Sequence, residues 1–204
     1  MRVPIAVQVR PFNIEAAQPR IDTVRAAFVR YLEHVPRKST RSKYGLMGPV
    51  GKILGEVKSG RRDPASLKGY AVRVHEALAR SPSPASLEGL EQGINELVKL
   101  LDDSPVTAHD QIIDRLDYGL YYDLRRAEMA AKEARRQAWI AFLRDKYGTE
   151  AKLSEAWEEA AGSFDELYLP RKVEGRKSKR ATVKQQDIAA FWESQGAAIT
   201  EEEE

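Results

Sequence analysis

SPASLEGLEQGINELVKLLDDSP, residues 83–105, is the stretch whose reading decides the fold. Leu87, Leu90, Ile94, Leu97 and Leu101 recur at alternating steps of three and four, which sets them along one side of a helix in the spacing that packs against another helix. Ser83 and Pro84 open that helix with a side-chain acceptor at the cap, followed by a residue that has no amide to satisfy. The same device recurs at Asp63 and Pro64, ahead of Leu67, Ala71, Val74 and Leu78, and at Ser104 and Pro105.

Outward from this stretch the helical signal continues. Pro19 suits a first helical turn, with Ile21, Val24, Phe28, Tyr31, Leu32 and Val35 following at helical spacing until Pro36 stops the helix. Residues 37–60 carry five glycines and a proline and read as a loop, with at most a short helix near 50–57. A long helix is expected over about 106–146, with Ile113, Leu116, Leu120 and Leu124 as its stripe and Gly119 as a point of kinking or interruption. A short helix bearing Leu153, Trp157 and Ala161 should stop at Gly162, and Thr182 should cap a last helix with Ile188, Phe191 and Trp192, ending at Gly196. The beginning alternates, with Val3, Ile5, Val7 and Val9 on one side of an edge strand that Pro4 permits. The expectation is an all-α, multi-helix bundle of about six or seven helices, to which residues 1–10 add at most one short β-strand. An N-terminal helical lobe should span residues 1–103, with a basic loop at 36–62. A C-terminal lobe should span 104–204, with a basic loop at 170–184 and a solvated acidic tail.

Composition narrows the function classes. The absence of cysteine excludes disulfides, thiolate nucleophiles and thiolate metal sites. Neither a secretory signal nor an apolar run of transmembrane length is found, so a cytoplasmic protein is expected. Net charge is only +2, but it is unevenly spread. Between Pro36 and Arg62 eight Lys and Arg face Glu56 alone, a local +7; between Pro170 and Lys184 seven face Glu174 alone, a local +6. The remainder of the chain therefore carries −11.

Residues 138–192 contain a specific pattern: AWIAFLRDKYGTEAKLSEAW, then SFDELYLPR, then DIAAFW. It resembles a helical insertion in the beta-galactosidase family built on a (β/α)₈ barrel. Phe142, Leu143, Tyr147, Gly148, Thr149, Leu153, Ala156, Trp157, Asp165, Glu166, Leu167, Pro170, Arg171, Asp187 and Phe191 carry the resemblance. It implies a helical hairpin and transfers no catalytic residue; independently of it, Tyr147, Trp157 and Phe164 should pack together where two helices meet at a tight turn. Where the family has a glycine after Ala-Trp, this chain has Glu158.

Three constellations bear on chemistry. GLMGPVGK, residues 45–52, is glycine-rich, but Leu46 and Ile53 stand where a phosphate loop needs glycine and a hydroxyl, so a basic loop is the expectation. Asp110, Asp114 and Asp117, with His109 beside them, share one helix side, as carboxylates for a metal or for acid–base work would. The solvated polar side of an amphipathic helix is the expected reading of these carboxylates, and His34, His75 and His109 lack ligand spacing. The basic stretches are the functional signal. Arg37, Lys38, Arg41, Lys43, Arg61 and Arg62, with Arg176, Lys177, Lys179 and Arg180, are the expected nucleic-acid contacts, and Ser39, Thr40, Ser42 and Tyr44 add hydrogen-bonding and stacking groups. The expectation is a non-enzymatic helical accessory subunit without a cofactor, touching nucleic-acid phosphates within a larger assembly of protein subunits. A small subunit of a bacterial nucleoprotein complex would suit the size and charge. The alternative is a protein-interaction or scaffold module without nucleic acid. In that case the basic stretches are matched by the chain's own acidic surface.

Overall fold

A computed structural model describes residues 12–35, 43–77 and 84–196. They form seven α-helices: α1 (Ile14–Glu33), α2 (Lys43–Lys58), α3 (Pro64–Ala77), α4 (Pro84–Asp102), α5 (His109–Tyr147), α6 (Glu150–Trp157) and α7 (Val183–Ser194). Short 3₁₀ turns lie at Val106–Ala108, Phe164–Glu166 and Lys172–Glu174. No strand occurs among the described residues, and the fold is all-α. The expected strand through Val3, Ile5, Val7 and Val9 lies outside those residues, as do Leu78, the side chain of Val74 and the acidic tail.

The chain divides into two compact units, Met1–Pro36 with Met47–Asp123 and Arg37–Leu46 with Leu124–Glu204. The border between them falls inside α5. Ile112, Ile113, Leu116 and Leu120, in the first turns of α5, are buried and belong to the first unit.

In the first unit α1 and α4 make the main helix–helix interface, and α3 packs on α4. Two glycines four residues apart on α4 permit the approach. A Cβ at Gly93 would lie 2.6 Å from the Phe28 ring, and one at Gly89 would lie 3.0 Å from the Ala27 carbonyl oxygen. Ile21, Val24, Phe28 and Tyr31 of α1 and Leu90, Ile94, Leu97 and Leu101 of α4 are buried, each large side chain contributing about 1.5–3 kcal/mol. Burial pushes the Tyr31 phenol well above its ordinary value.

Several local expectations are corrected. Helix α1 starts at Ile14, because the Asn13 side chain accepts from the amides of Glu15 (3.1 Å) and Ala16 (3.3 Å); Pro19 therefore sits inside the helix, not in its first turn. Residues 43–58 are helical rather than a loop. Leu46, Met47, Val50, Ile53, Leu54 and Val57 make a buried helical stripe that outweighs the glycines. The break is confined to Gly48, whose φ of 49° and ψ of −133° suit glycine, and Pro49 then opens the second segment. Ser104 does not cap α5: its hydroxyl donates back to the Leu100 carbonyl at 2.6 Å, and the 3₁₀ turn leads in instead. Gly119 interrupts nothing; it leaves room for Arg25, which pairs with Asp123 at 2.9 Å. Asp63 does cap α3 as expected, accepting from the Ser66 amide (2.9 Å) and hydroxyl (2.6 Å).

The second unit has an aromatic core. Trp139, Ile140 and Leu143 of α5, Leu153 and Trp157 of α6, Phe164, and Ile188, Phe191 and Trp192 of α7 are buried together, with Tyr147 packed alongside. Trp139 stacks on Trp157 at 6.2 Å between centroids and meets Phe191 at 5.1 Å. Gly148 (φ 75°) makes the turn between α5 and α6, and Thr149 caps α6 through the Lys152 amide. Helix α6 ends at Trp157, four residues after Leu153, and not at Gly162. Its left-handed cap is Glu158 (φ 55°), a backbone region that costs a side-chain-bearing residue about 1–2 kcal/mol. Arg136 of α5 fastens the exit from α6, donating to the carbonyls of Asp165 and Leu167 at 3.0 Å each. Its hydrogen bonds to Glu133 also hold that carboxyl down at about 2.

Gly93→Ala and Gly55→Ala should shift stability in opposite directions. Exposed Gly55 has nothing within 4 Å of a new Cβ, so alanine there should stabilise by about 0.5–1 kcal/mol through helix propensity. At Gly93 the collision with Phe28 should outweigh that gain and destabilise by about 1–3 kcal/mol in urea denaturation.

Candidate nucleic-acid interface

The second basic stretch is built onto α7. Helix α7 opens with a reciprocal cap: Thr182 Oγ1 accepts from the Gln185 amide (3.2 Å), and the Gln185 side chain accepts from the Thr182 amide (3.2 Å). The preceding loop then lies back along the helix. The Arg176 amide donates to the Gln185 carbonyl at 2.9 Å, and a Cβ on Gly175 would lie 2.6 Å from the Ala189 backbone nitrogen. Gly175 thus serves close approach rather than backbone freedom, because no side chain fits between loop and helix. Upstream, Glu174 accepts from the Arg171 amide (3.0 Å) and from Tyr168 Oη (3.3 Å), and Trp192 Nε1 donates to the Pro170 carbonyl at 3.1 Å. Partial burial raises the Glu174 carboxyl, but these hydrogen bonds prevail and leave it below the ordinary range.

Helix α7 is in turn positioned by Asp187, a fully buried carboxylate. It accepts from Tyr147 Oη at 2.6 Å, from Trp157 Nε1 at 2.8 Å and from the Lys146 ammonium. Its donors thus come from the last turns of α5 and α6. Burial, and then the hydrogen bond to this carboxylate, push the Tyr147 phenol above 10.0. For Lys146 burial pulls downward, but the hydrogen bond and charge of Asp187 prevail and hold the ammonium above 10.5.

The ten expected contact residues fall into distinct groups. Arg37, Lys38 and Arg41 lie outside the described residues, as do Ser39, Thr40, Ser42 and the side chain of Tyr44. The rest of the first stretch is matched internally. Lys43 is exposed and engaged; Arg61 pairs with Glu56 at 2.7 Å; Arg62 donates to His109 Nδ1 at 2.6 Å and lies 3.8 Å from Asp102. Two further cations of that stretch are also held, Lys52 over the Tyr70 ring and Lys58 on Asp114 at 3.0 Å. In the second stretch Lys177 pairs with Glu193, and Lys184 reaches Glu159 while lying 5.0 Å over the Trp157 ring. Arg176, Lys179 and Arg180 are exposed, and none of the described acidic residues pairs with their side chains.

The acidic stripe is organised differently from a metal site. Asp114 binds Lys58, whose ammonium is raised by that hydrogen bond and charge and, more weakly, by Asp110 and Asp117. His109 is buried, with Nε2 donating to the carbonyls of Leu101 (2.8 Å) and Ser104 (3.1 Å) and Nδ1 accepting from Arg62, so both ring nitrogens serve structure. Among the described residues no three His, Asp or Glu side chains converge to hold a metal ion, and no helix is long and apolar enough to cross a membrane. Asp187, Tyr147 and Gly175, which position the basic loop, were not identified as functional from the sequence. The only signal for them was the coincidence of polar residues with the aromatic pattern of residues 138–192.

Asp187→Asn should destabilise the second unit by about 2–4 kcal/mol, because the lysine loses its counter-charge and the other donors compete for one oxygen. All three tryptophans belong to this unit, so denaturation followed by tryptophan fluorescence reports it selectively. The raised values of Tyr147 and Lys146 give stability that is complete below their ordinary values of 10.0 and 10.5 and is lost as pH rises through the folded ones. Tryptophan-monitored stability should therefore fall above about pH 10, with a smaller fall in Tyr147→Phe.

Comparison of the chain with protein-family models, curated protein sequences and solved structures finds no match in any of the three.

Proposed function

We propose that this protein is a non-enzymatic helical accessory module that contacts the phosphate backbone of nucleic acid through the loop carrying Arg176, Lys179 and Arg180. One observation carries the reading: these three cations stand exposed without an acidic partner among the described residues, on a backbone fastened to α7, whereas their counterparts at 43–62 are matched internally. Fixed, unmatched positive charge offers phosphates a site that costs no ion pair to open, and counterion release supplies the affinity without regard to base sequence. Lys177 joins them once released from Glu193, and Arg37, Lys38 and Arg41 join from the sequence alone. Arg61, Arg62 and Lys43 contribute less, since each would first leave an internal partner.

A protein-interaction module without nucleic acid is the second reading, favoured by Tyr118 and Tyr122. These are exposed on α5, with ring centroids 4.3 Å apart. Salt titration of duplex binding separates the two. Three phosphate contacts from the α7 loop predict that Arg176→Ala, Lys179→Ala and Arg180→Ala together reduce the slope of log K against log salt by about 3 and weaken binding at least about tenfold at low salt. An unchanged slope in the triple variant would refute the assignment of these residues, and absence of binding at low salt would favour the second reading.

A further inference from the structure

Within the second unit a cleft of about 210 Å³ opens beside Trp157. That is smaller than the ~300–1,000 Å³ of pockets for drug-sized molecules, and it leaves room for one group the size of a side chain. Trp157, Leu167 and Ile188 line it with apolar surface, and Glu159, Glu166 and Lys184 supply its charge. Its walls are held by the fold. The Ala161 amide donates to Ser154 Oγ at 3.1 Å and the Glu159 amide to the Ser154 carbonyl at 3.2 Å, which fixes the segment carrying Glu159. Arg136 clasps the carbonyls of Asp165 and Leu167, on either side of Glu166 in the chain, and the Thr182 cap holds the turn that carries Lys184. The cleft already receives a cation. Lys184 Nζ lies 5.0 Å over the Trp157 ring and pairs with Glu159 at 2.5 Å, so an aromatic face and a carboxylate share one ammonium. Glu166, by contrast, has no side-chain partner among the described residues, and the lining keeps one unmatched negative charge.

We infer that this cleft binds the alkylammonium or alkylguanidinium end of a basic ligand, in exchange with Lys184. The apolar walls suit the methylene stem of such a group. Trp157 and Glu159 take up its charge as they take up that of Lys184, and Glu166 adds a second carboxylate. Lys184 is half-buried, so its ammonium moves into water without leaving a charge stranded. A guanidinium has an advantage over the resident ammonium, because its planar fork of donors stacks on an indole while bonding a carboxylate. The site stands independently of the phosphate-binding reading, since none of Arg176, Lys179 and Arg180 lines it. Its ligand is either a basic side chain of a protein partner or a free organic cation with the same chemistry.

The experiment titrates the full chain with butylguanidinium at low salt and follows tryptophan fluorescence, with n-butanol and butyrate as the neutral and anionic controls. Butylguanidinium should give a saturable change in the millimolar range. Binding should be about two- to fivefold weaker in Glu166→Gln and about three- to tenfold tighter in Lys184→Gln, which lacks the resident competitor. Lysine acylation by an N-hydroxysuccinimide ester, read by mass spectrometry, reports the exchange. Lys184 should react at least about twofold faster in saturating butylguanidinium while exposed Lys99 is unchanged. A blocked Gly-Arg-Gly peptide that binds as well assigns the site to a protein side chain, and its exclusion assigns the site to a free organic cation. Absence of a saturable change in both the natural chain and Lys184→Gln would overturn the inference. So would an equal response to n-butanol, which makes the cleft merely apolar, or tighter binding of butyrate, which makes Lys184 the anchor of an anion site. Unchanged Lys184 reactivity at saturation would overturn the exchange.

Discussion

A carboxylate with no access to water costs several kcal/mol unless donors surround it, and the second unit is organised around meeting that demand at Asp187. Its three donors sit on different elements: Lys146 and Tyr147 at the end of α5, and Trp157 at the end of α6. Satisfying all three fixes α7 against both helices. The placement of α7 then dictates the rest, since Trp192 anchors Pro170, Ala189 receives Gly175, and Gln185 receives the Arg176 amide. A buried ionic contact thus sets the path of a loop whose own charges face outward.

The two basic stretches look equivalent by charge density but differ in structure. Around the first, the acidic surface of the helical body supplies partners: Glu56, Asp102 and Asp114 take up Arg61, Arg62 and Lys58. Exposed pairs of this kind add little stability, about 0–1 kcal/mol each, yet they lower the affinity of the same side chains for an outside anion. At the second stretch Glu174 is committed to Arg171 and Tyr168, and Glu193 to Lys177. What remains available is set by which carboxylates the fold leaves within reach, a quantity that local charge counting misses.

Much of the fold was legible from helix periodicity and caps. The Leu87-to-Leu101 stripe, the Asp63 cap, the Thr182 cap and the long α5 follow from short-range rules, and the structure has each of them. Residues 43–58 read as a loop because four glycines and a proline mask a buried stripe of six apolar residues. Tertiary burial decides such contests and local propensity does not. The end of α6 was misplaced because glycine is the usual left-handed cap, and here Glu158 takes that conformation. Gly89, Gly93 and Gly175 are points of closest approach, a role that depends on partners 13 to 65 residues away. The Asp187 network was invisible for the same reason, since its donors lie 30 to 41 positions distant.

The central claim is that the second basic stretch is folded onto α7 through the Asp187 network and is not a free loop. Hydrogen exchange at the amides of Gly175 and Arg176, which donate to the carbonyls of Lys172 and Gln185, tests it most directly. The account predicts exchange at least about tenfold slower than in an unstructured peptide, with that protection lost in Asp187→Asn under conditions where α1 and α4 stay protected. Exchange of both amides at unstructured-peptide rates in the native protein would contradict it.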